Sequence, residues 1–188
     1  MVLNRLTLWL YGVVMTGLQP LLRRKLAQRG KVEPGYSVAV EERFGRYSVQ
    51  AESGGTGWIW VHAVSLGETR AAAVLINALR ERLPGMRLLL THGTATGRAE
   101  GQSLLREGDV QVWQPWDAPA AVDRFLGRFH PCLGVLLETE VWPVLTARCL
   151  AQGVPLVLVN ARLSEKSLRK AQRLAWLARP SYAALTAV

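Results

Sequence analysis

The chain has 188 residues, 49% of them hydrophobic and 20% charged, with a net charge of +9. That composition supplies one buried core with an appendage and excludes a disordered chain, while the excess of lysine and arginine calls for an acidic partner: nucleic acid, an anionic membrane surface or a phosphorylated substrate. Cys132 and Cys149 lack CxxC spacing and His62, His92 and His130 are scattered, which excludes a zinc framework and suits a reducing compartment.

The uncharged stretch from Leu6 to Leu18 contains Trp9 and Tyr11. Continued through Gln19-Pro20-Leu21-Leu22 it approaches the roughly 20 residues of a membrane-spanning helix. Arg23, Arg24, Lys25, Arg29 and Lys31 follow, a positive-inside arrangement that places the rest of the chain in the cytoplasm and attracts anionic head groups. No small-residue cleavage site follows, so residues 1–30 read as a single N-terminal anchor with a basic juxtamembrane segment and not as a signal peptide. A buried amphipathic helix with a solvated basic end is the structural alternative. Residues 31–57, rich in Gly, Pro and charge, read as a linker with a short helical patch, Glu41-Glu42-Arg43-Phe44, ending at Gly45.

Residues 58–188 carry the domain. Trp58-Ile59-Trp60-Val61 has strand composition and the run from Arg70 through Arg80 has helical periodicity, so Glu68 falls on the first helical turn beyond a strand's carboxyl end. Ser65-x-x-Glu68 is also a capping box, in which Ser65 bonds the Glu68 amide and the carboxylate reaches back to the Ser65 amide. Both a cap and a catalytic carboxylate are open at this point. Apolar runs then recur at Arg87–Leu90, Val110–Trp113, Leu133–Leu137 and Pro155–Val159, separated by helical patterns over Ala95–Arg106, Ala118–Arg128 and Pro143–Gln152. Strands alternating with helices predict an α/β fold: a Rossmann-like parallel sheet with helices on both faces. Another strand is expected to begin at Ala187-Val188.

Such a sheet gathers its loops, and its ligands, at the carboxyl ends of the strands. Thr94, Asp117, Thr139 and Ser164 are plausible N-caps there, and Pro119 and Pro143 suit first helical turns. Glu138 and Glu140 follow a wholly apolar strand, where an unpaired acid is costly. With Glu68 they give the edge an acidic centre, and Arg98 and Arg162 are candidates for anionic groups at helix N-termini. There is no GxGxxG after the first strand, no GxxxxGK[ST] and no GxSxG, so nicotinamide, P-loop and α/β-hydrolase chemistries lose support. The tryptophans read as packing, and the basic residues form no stripe beyond the N-terminal cluster, so nucleic acid has charge in its favour but no motif.

The assembled stretches Gln19-Pro20-Leu21, Glu42-Arg43-Phe44-Gly45, His62-Ala63-Val64-Ser65-Leu66-Gly67-Glu68-Thr69, Thr94-Ala95-Thr96-Gly97, Pro115-Trp116-Asp117-Ala118-Pro119, Glu138-Thr139-Glu140-Val141-Trp142-Pro143 and Asn160-Ala161-Arg162-Leu163-Ser164 resemble the amino-terminal domain of the 3-deoxy-D-manno-octulosonic acid (Kdo) transferases. Val144 departs from the pattern, standing where the family places an asparagine. The resemblance implies a membrane-anchored GT-B glycosyltransferase on the cytoplasmic side of the inner membrane, transferring Kdo from CMP-Kdo to a lipid A precursor in lipopolysaccharide assembly. It further implies that the carboxy-terminal domain holding CMP-Kdo is absent here, leaving this chain inactive alone, and that no metal or cofactor is required. By the same resemblance Glu68 is the general base of an inverting transfer and Glu138 stabilises the transition state. Ser65, Gly67, Thr94, Thr96, Arg98, Glu140, Asn160 and Arg162 are the candidate substrate contacts. The alternatives are a non-catalytic module that binds an anionic glycolipid at the membrane surface, and a Rossmann-like nucleic-acid binder.

Overall fold

The computed structural model describes residues 2–49 and 57–188. The chain opens with α1 (Val2–Gly17) and α2 (Gln19–Val32), then alternates β1 (Trp58–His62), α3 (Leu66–Arg82), β2 (Leu88–His92), α4 (Ala95–Gly101), β3 (Val110–Trp113), α5 (Pro119–Phe129), β4 (Pro131–Leu137), α6 (Pro143–Ala151) and β5 (Leu156–Val159). Two further helices, α7 (Glu165–Arg173) and α8 (Ala175–Ala183), follow.

The five strands are all parallel, in the order β3-β2-β1-β4-β5. Every residue of β1 and β2 is buried, which is why these strands read as apolar runs without alternation. Successive side chains still serve opposite faces. Val61, Leu88, Leu90 and Val135 pack with Ala72 and Ile76 of α3, while Trp60, Leu89, Leu136 and Leu158 pack with Val122, Phe125 and Phe129 of α5 and Leu145 and Cys149 of α6. The expected parallel sheet covered on both faces is therefore present. Chain order turns at β1: β2 and β3 lie on one side of it, β4 and β5 on the other, so the switch point where α/β sheets take ligands falls between the carboxyl ends of β1 and β4.

α4 is shorter than its sequence pattern and passes into a 3₁₀ turn over Gln102–Leu104. α7 is not predicted from the sequence, because its residues are almost wholly polar and only Leu168 and Ala171 mark an apolar face. The strand expected at the end of the chain begins as a single parallel bridge between Val157 and Ala187.

The N-terminal expectations change most. Among the described residues no helix is long and apolar enough to cross a membrane, so the spanning reading of residues 1–30 gains no support. α1 instead packs on the domain: Leu8 and Tyr11 lie against the core of α5 and α6, and Tyr11 donates its hydroxyl to Asp117. The helix approaches so closely that a Cβ on Gly12 would stand 2.7 Å from Pro119 Cγ. Its opposite face leaves Leu6, Trp9, Leu10, Val13 and Val14 between 49% and 61% exposed, and Leu18 and Leu21 continue the stripe onto α2.

The stretch read as a linker is also packed over its described part. Tyr36 and Phe44, carried on 3₁₀ turns at Pro34–Ser37 and Val40–Phe44, form a third core cluster with Leu26, Ala95 and Trp113. Glu42 and Arg43 are buried with them. Aromatic anchors, and not composition, decide this segment's fate; residues 50–56 of the linker reading lie outside the described residues.

Candidate functional site

Ser65 ends the extended approach from β1 and caps α3, its Oγ accepting the Glu68 amide at 3.4 Å and donating to Glu68 Oε1 at 2.8 Å. The other carboxylate oxygen, Oε2, accepts the Val64 amide at 2.9 Å. This corrects the expected capping box, since the carboxylate reaches one residue past the Ser65 amide. Glu68 is 8% exposed and held at both oxygens, so one carboxylate is both a cap and a preoriented group at the switch point. Gly67 beside it is exposed, and a Cβ there would meet nothing within 4 Å, so the approach over this turn is open.

Across the switch point, Glu138 follows β4 and its amide bonds the Val159 carbonyl of β5 at 3.1 Å. Glu138 and Asn160, the residue after β5, both take left-handed backbones, with φ of 60° and 51°. That conformation costs an L-residue roughly 1–2 kcal/mol, and two adjacent strands end in it. Glu140 accepts the Trp142 indole N–H at 2.8 Å. Burial raises its carboxyl above the ordinary range, and the charges of Glu68 and Glu138 add to this against the opposing indole bond. The three carboxylates expected to form an acidic centre thus share one electrostatic neighbourhood.

The other predicted residues divide. Thr94 caps α4 by accepting the Gly97 amide at 3.2 Å and donates to the Val64 carbonyl at 2.9 Å, tying this loop to the Glu68 turn. Gly97 is required there, because a Cβ would stand 2.9 Å from the Val64 carbonyl oxygen. Thr96 is exposed, with its hydroxyl 3.4 Å from that of Thr94. Asn160 and Arg162 are exposed on the loop after β5. Arg98 is not available as an anion site: it donates to Glu42 Oε2 at 2.8 Å, and its guanidinium lies 4.8 Å from the Trp113 ring centroid. The Glu42 that occupies it also accepts the Trp113 amide at 2.8 Å.

Sequence reading missed what holds this edge in place. Asp117 is not the N-cap of its own helix. It is 1% exposed and accepts the amides of Val144 and Leu145 at 3.0 and 2.8 Å, capping α6 from another loop. This explains Val144: its side chain is buried, its amide is held by Asp117, and the helix start needs no asparagine. Burial pushes Asp117 up to about 6. Arg43 lies 3.9 Å over Trp113, donates to the Gly93 carbonyl at 2.9 Å, and is drawn down to about 10 by burial. His62 and His92 are structural. His62 bonds Thr91 Oγ1 at 2.9 Å and His92 bonds the Ala63 carbonyl at 2.9 Å, and burial above all lowers them to about 3 and about 4, leaving both neutral near pH 7. The signal for Glu42 and Arg43 lay in the family stretch that contains them, where composition suggested a linker.

Fold and edge together define a Rossmann-like α/β domain with a carboxylate-lined site at its switch point. The sequence model of the 3-deoxy-D-manno-octulosonic-acid transferase (kdotransferase) family matches residues 39–188. The chain is 46% identical to a 3-deoxy-D-manno-octulosonic acid transferase of Bordetella pertussis over 95% of its own length and 42% of that protein's. It is 30% identical to the enzyme of that name in Haemophilus influenzae, over 81% of this chain and 35% of the other, and 37% identical to that of Rickettsia felis, over 66% and 25%. The chain belongs to the Kdo transferase family, and its relatives are glycosyltransferases of which it spans less than half the length.

Proposed function

We propose that this chain is the acceptor-binding, base-carrying part of an inverting Kdo transferase, acting with CMP-Kdo as donor and a lipid A precursor as acceptor. The observation that carries the reading is Glu68, buried at the carboxyl end of the central strand, fixed by Val64 and Ser65, and facing the acidic loop of β4. In the transfer, Glu68 takes the proton of the acceptor hydroxyl as that oxygen bonds the anomeric carbon of Kdo. The bond from that carbon to the phosphate oxygen breaks, and CMP leaves with its electron pair; general-base help of this kind contributes about 10²–10⁴ in rate. Glu138 faces the positive charge that develops on the sugar, and Glu140 positions the acceptor. The longer relatives have room for a second domain of GT-B type, to which this reading assigns the donor.

The exposed stripe of α1 and α2 supports a place at the cytoplasmic face of the inner membrane, with α1 lying in the interface plane and the exposed Arg24, Lys25 and Lys31 on anionic head groups, while Arg23 is paired with Glu41 and Arg29 lies over Tyr36. A non-catalytic glycolipid-binding module is favoured by the stripe as well, but it leaves the fixed carboxylate with no task beyond the cap of α3. Paired titrations test the proposal. The chain is expected to bind a detergent-dispersed lipid A precursor saturably and CMP without saturation; tight CMP binding by this chain alone contradicts it.

A further inference from the structure

Behind the acidic loop the fold leaves a trough in two parts. The outer part, about 240 Å³, lies between α1, α6 and α8 and is walled by Leu8, Ala147, Leu150 and Trp176. The inner part, about 310 Å³, is lined by Tyr11, Val141, Leu163, Leu174 and Ala178. The two lie side by side, sharing Pro143, Leu177 and Ser181 as walls. Thr139 lines the inner end between Glu138 and Glu140, and the charge of Glu140 helps to raise the Tyr182 hydroxyl on the same wall. The outer end is walled by the same α1 that carries the outward apolar stripe.

We propose that this trough takes one saturated acyl chain of the anionic glycolipid acceptor and thereby sets the reach of the acceptor hydroxyl to Glu68. Both ends of the trough argue for that occupant. A molecule with a reactive polar head at the carboxylates and an apolar tail leaving beside a membrane-facing helix matches the acidic loop at one end and the α1 stripe at the other. Cations stand near both ends: Arg162, exposed and in no ion pair among the described residues, immediately precedes Leu163 of the inner wall, and Arg5 lines the outer part beside the membrane-facing helix. The inference rests on the acceptor-side reading and adds a specificity determinant to it, the length of the chain that the trough accommodates.

Calorimetric titration of the chain with octyl, decyl, dodecyl and tetradecyl phosphate, each below its micelle concentration, tests this. Affinity is expected to rise about fourfold per methylene while the trough fills and then to level off. Ala147→Phe, which fills the outer part, is expected to move the plateau to a shorter chain, whereas Ala147→Ser leaves it in place. Arg162→Ala lowers affinity at every length by the same factor. Far-ultraviolet circular dichroism confirms that each variant is folded. Affinity that keeps rising without a plateau, as for adsorption on the α1 stripe, overturns the trough, as does a folded Ala147→Phe with an unchanged plateau. A failed plateau, with Kdo transfer by a complete transferase carrying this chain still dependent on Glu68, overturns the trough alone; a plateau in this chain, with no Kdo transfer by the complete transferase, overturns the transferase reading alone.

Discussion

The two sides of the sheet edge about β1 are built differently. On the β2 and β3 side the protein fills its own sites: Arg98 is paired with Glu42, Arg43 lies on Trp113, and His62 and His92 are buried and neutral. On the β4 and β5 side, Glu138 and Asn160 hold strained backbones, Arg162 is exposed, and Glu140 is a carboxyl raised by burial and neighbouring charge. The polar residues of the first side are spent on architecture, and those of the second are the ones the proposed function assigns to a ligand. Similar residue types at equivalent loop positions thus carry opposite roles, decided by what packs above them.

The largest effect expected to sharpen this contrast is on stability from the closed side. Arg98→Ala leaves Glu42 buried without its cation and should cost about 3–5 kcal/mol in urea unfolding. A fully stable Arg98→Ala chain with weakened acceptor binding would break the comparison, because Arg98 would then be a substrate contact.

Acid should act next. His62 and His92 have folded values below their ordinary 6.5, so the stability they confer is present above pH 6.5 and is lost as pH falls through about 4 and about 3. Asp117 runs the other way, raised from 3.8 to about 6, so its contribution is present below pH 3.8 and lost as pH rises through 6. Two histidines outweigh one aspartate, and melting temperature should fall between pH 6.5 and 4. Asp117→Asn should steepen that fall by removing the opposing slope, and an unchanged slope would deny the buried titration.

Tyr11→Phe should cost about 1–3 kcal/mol, by leaving a lone pair of buried Asp117 without its donor, and hydrogen exchange should quicken at the start of α6. The smallest effect is expected at the open side. Glu138→Gly relieves a left-handed residue but adds unfolded-state entropy, for a net gain of about 0.5 kcal/mol or none, while Kdo transfer falls. A loss of several kcal/mol there would place Glu138 in the architecture.

What could be read in advance follows the same division. The strands and the helices on both faces of the sheet were legible because burial on two faces writes continuous apolar runs, and the Glu68 turn because a strand, a cap and a helix announce themselves locally. The Glu42–Arg98 pair spans 56 positions and no local pattern encodes it. Asp117 looked like the cap of the helix it precedes, and only tertiary packing sends its carboxylate to α6. The apolar run at the start of the chain reads as an anchor from its length, its lack of charge and the basic cluster after it, with an amphipathic helix as the alternative; its period separates Leu8 and Tyr11, turned inward, from Leu6, Trp9, Leu10 and Val13, turned outward.

Glu68 is where the cap and the proposed general base coincide, and one substitution separates them. Glu68→Gln retains an acceptor oxygen for the Val64 amide and a partner for Ser65, so melting should move by well under the ~1 kcal/mol typical of a lost cap. In a complete transferase carrying this chain, the rate of Kdo transfer should nevertheless fall at least about a hundredfold. Near-normal turnover by a folded Glu68→Gln enzyme would show that the carboxylate is only a cap and would contradict the account.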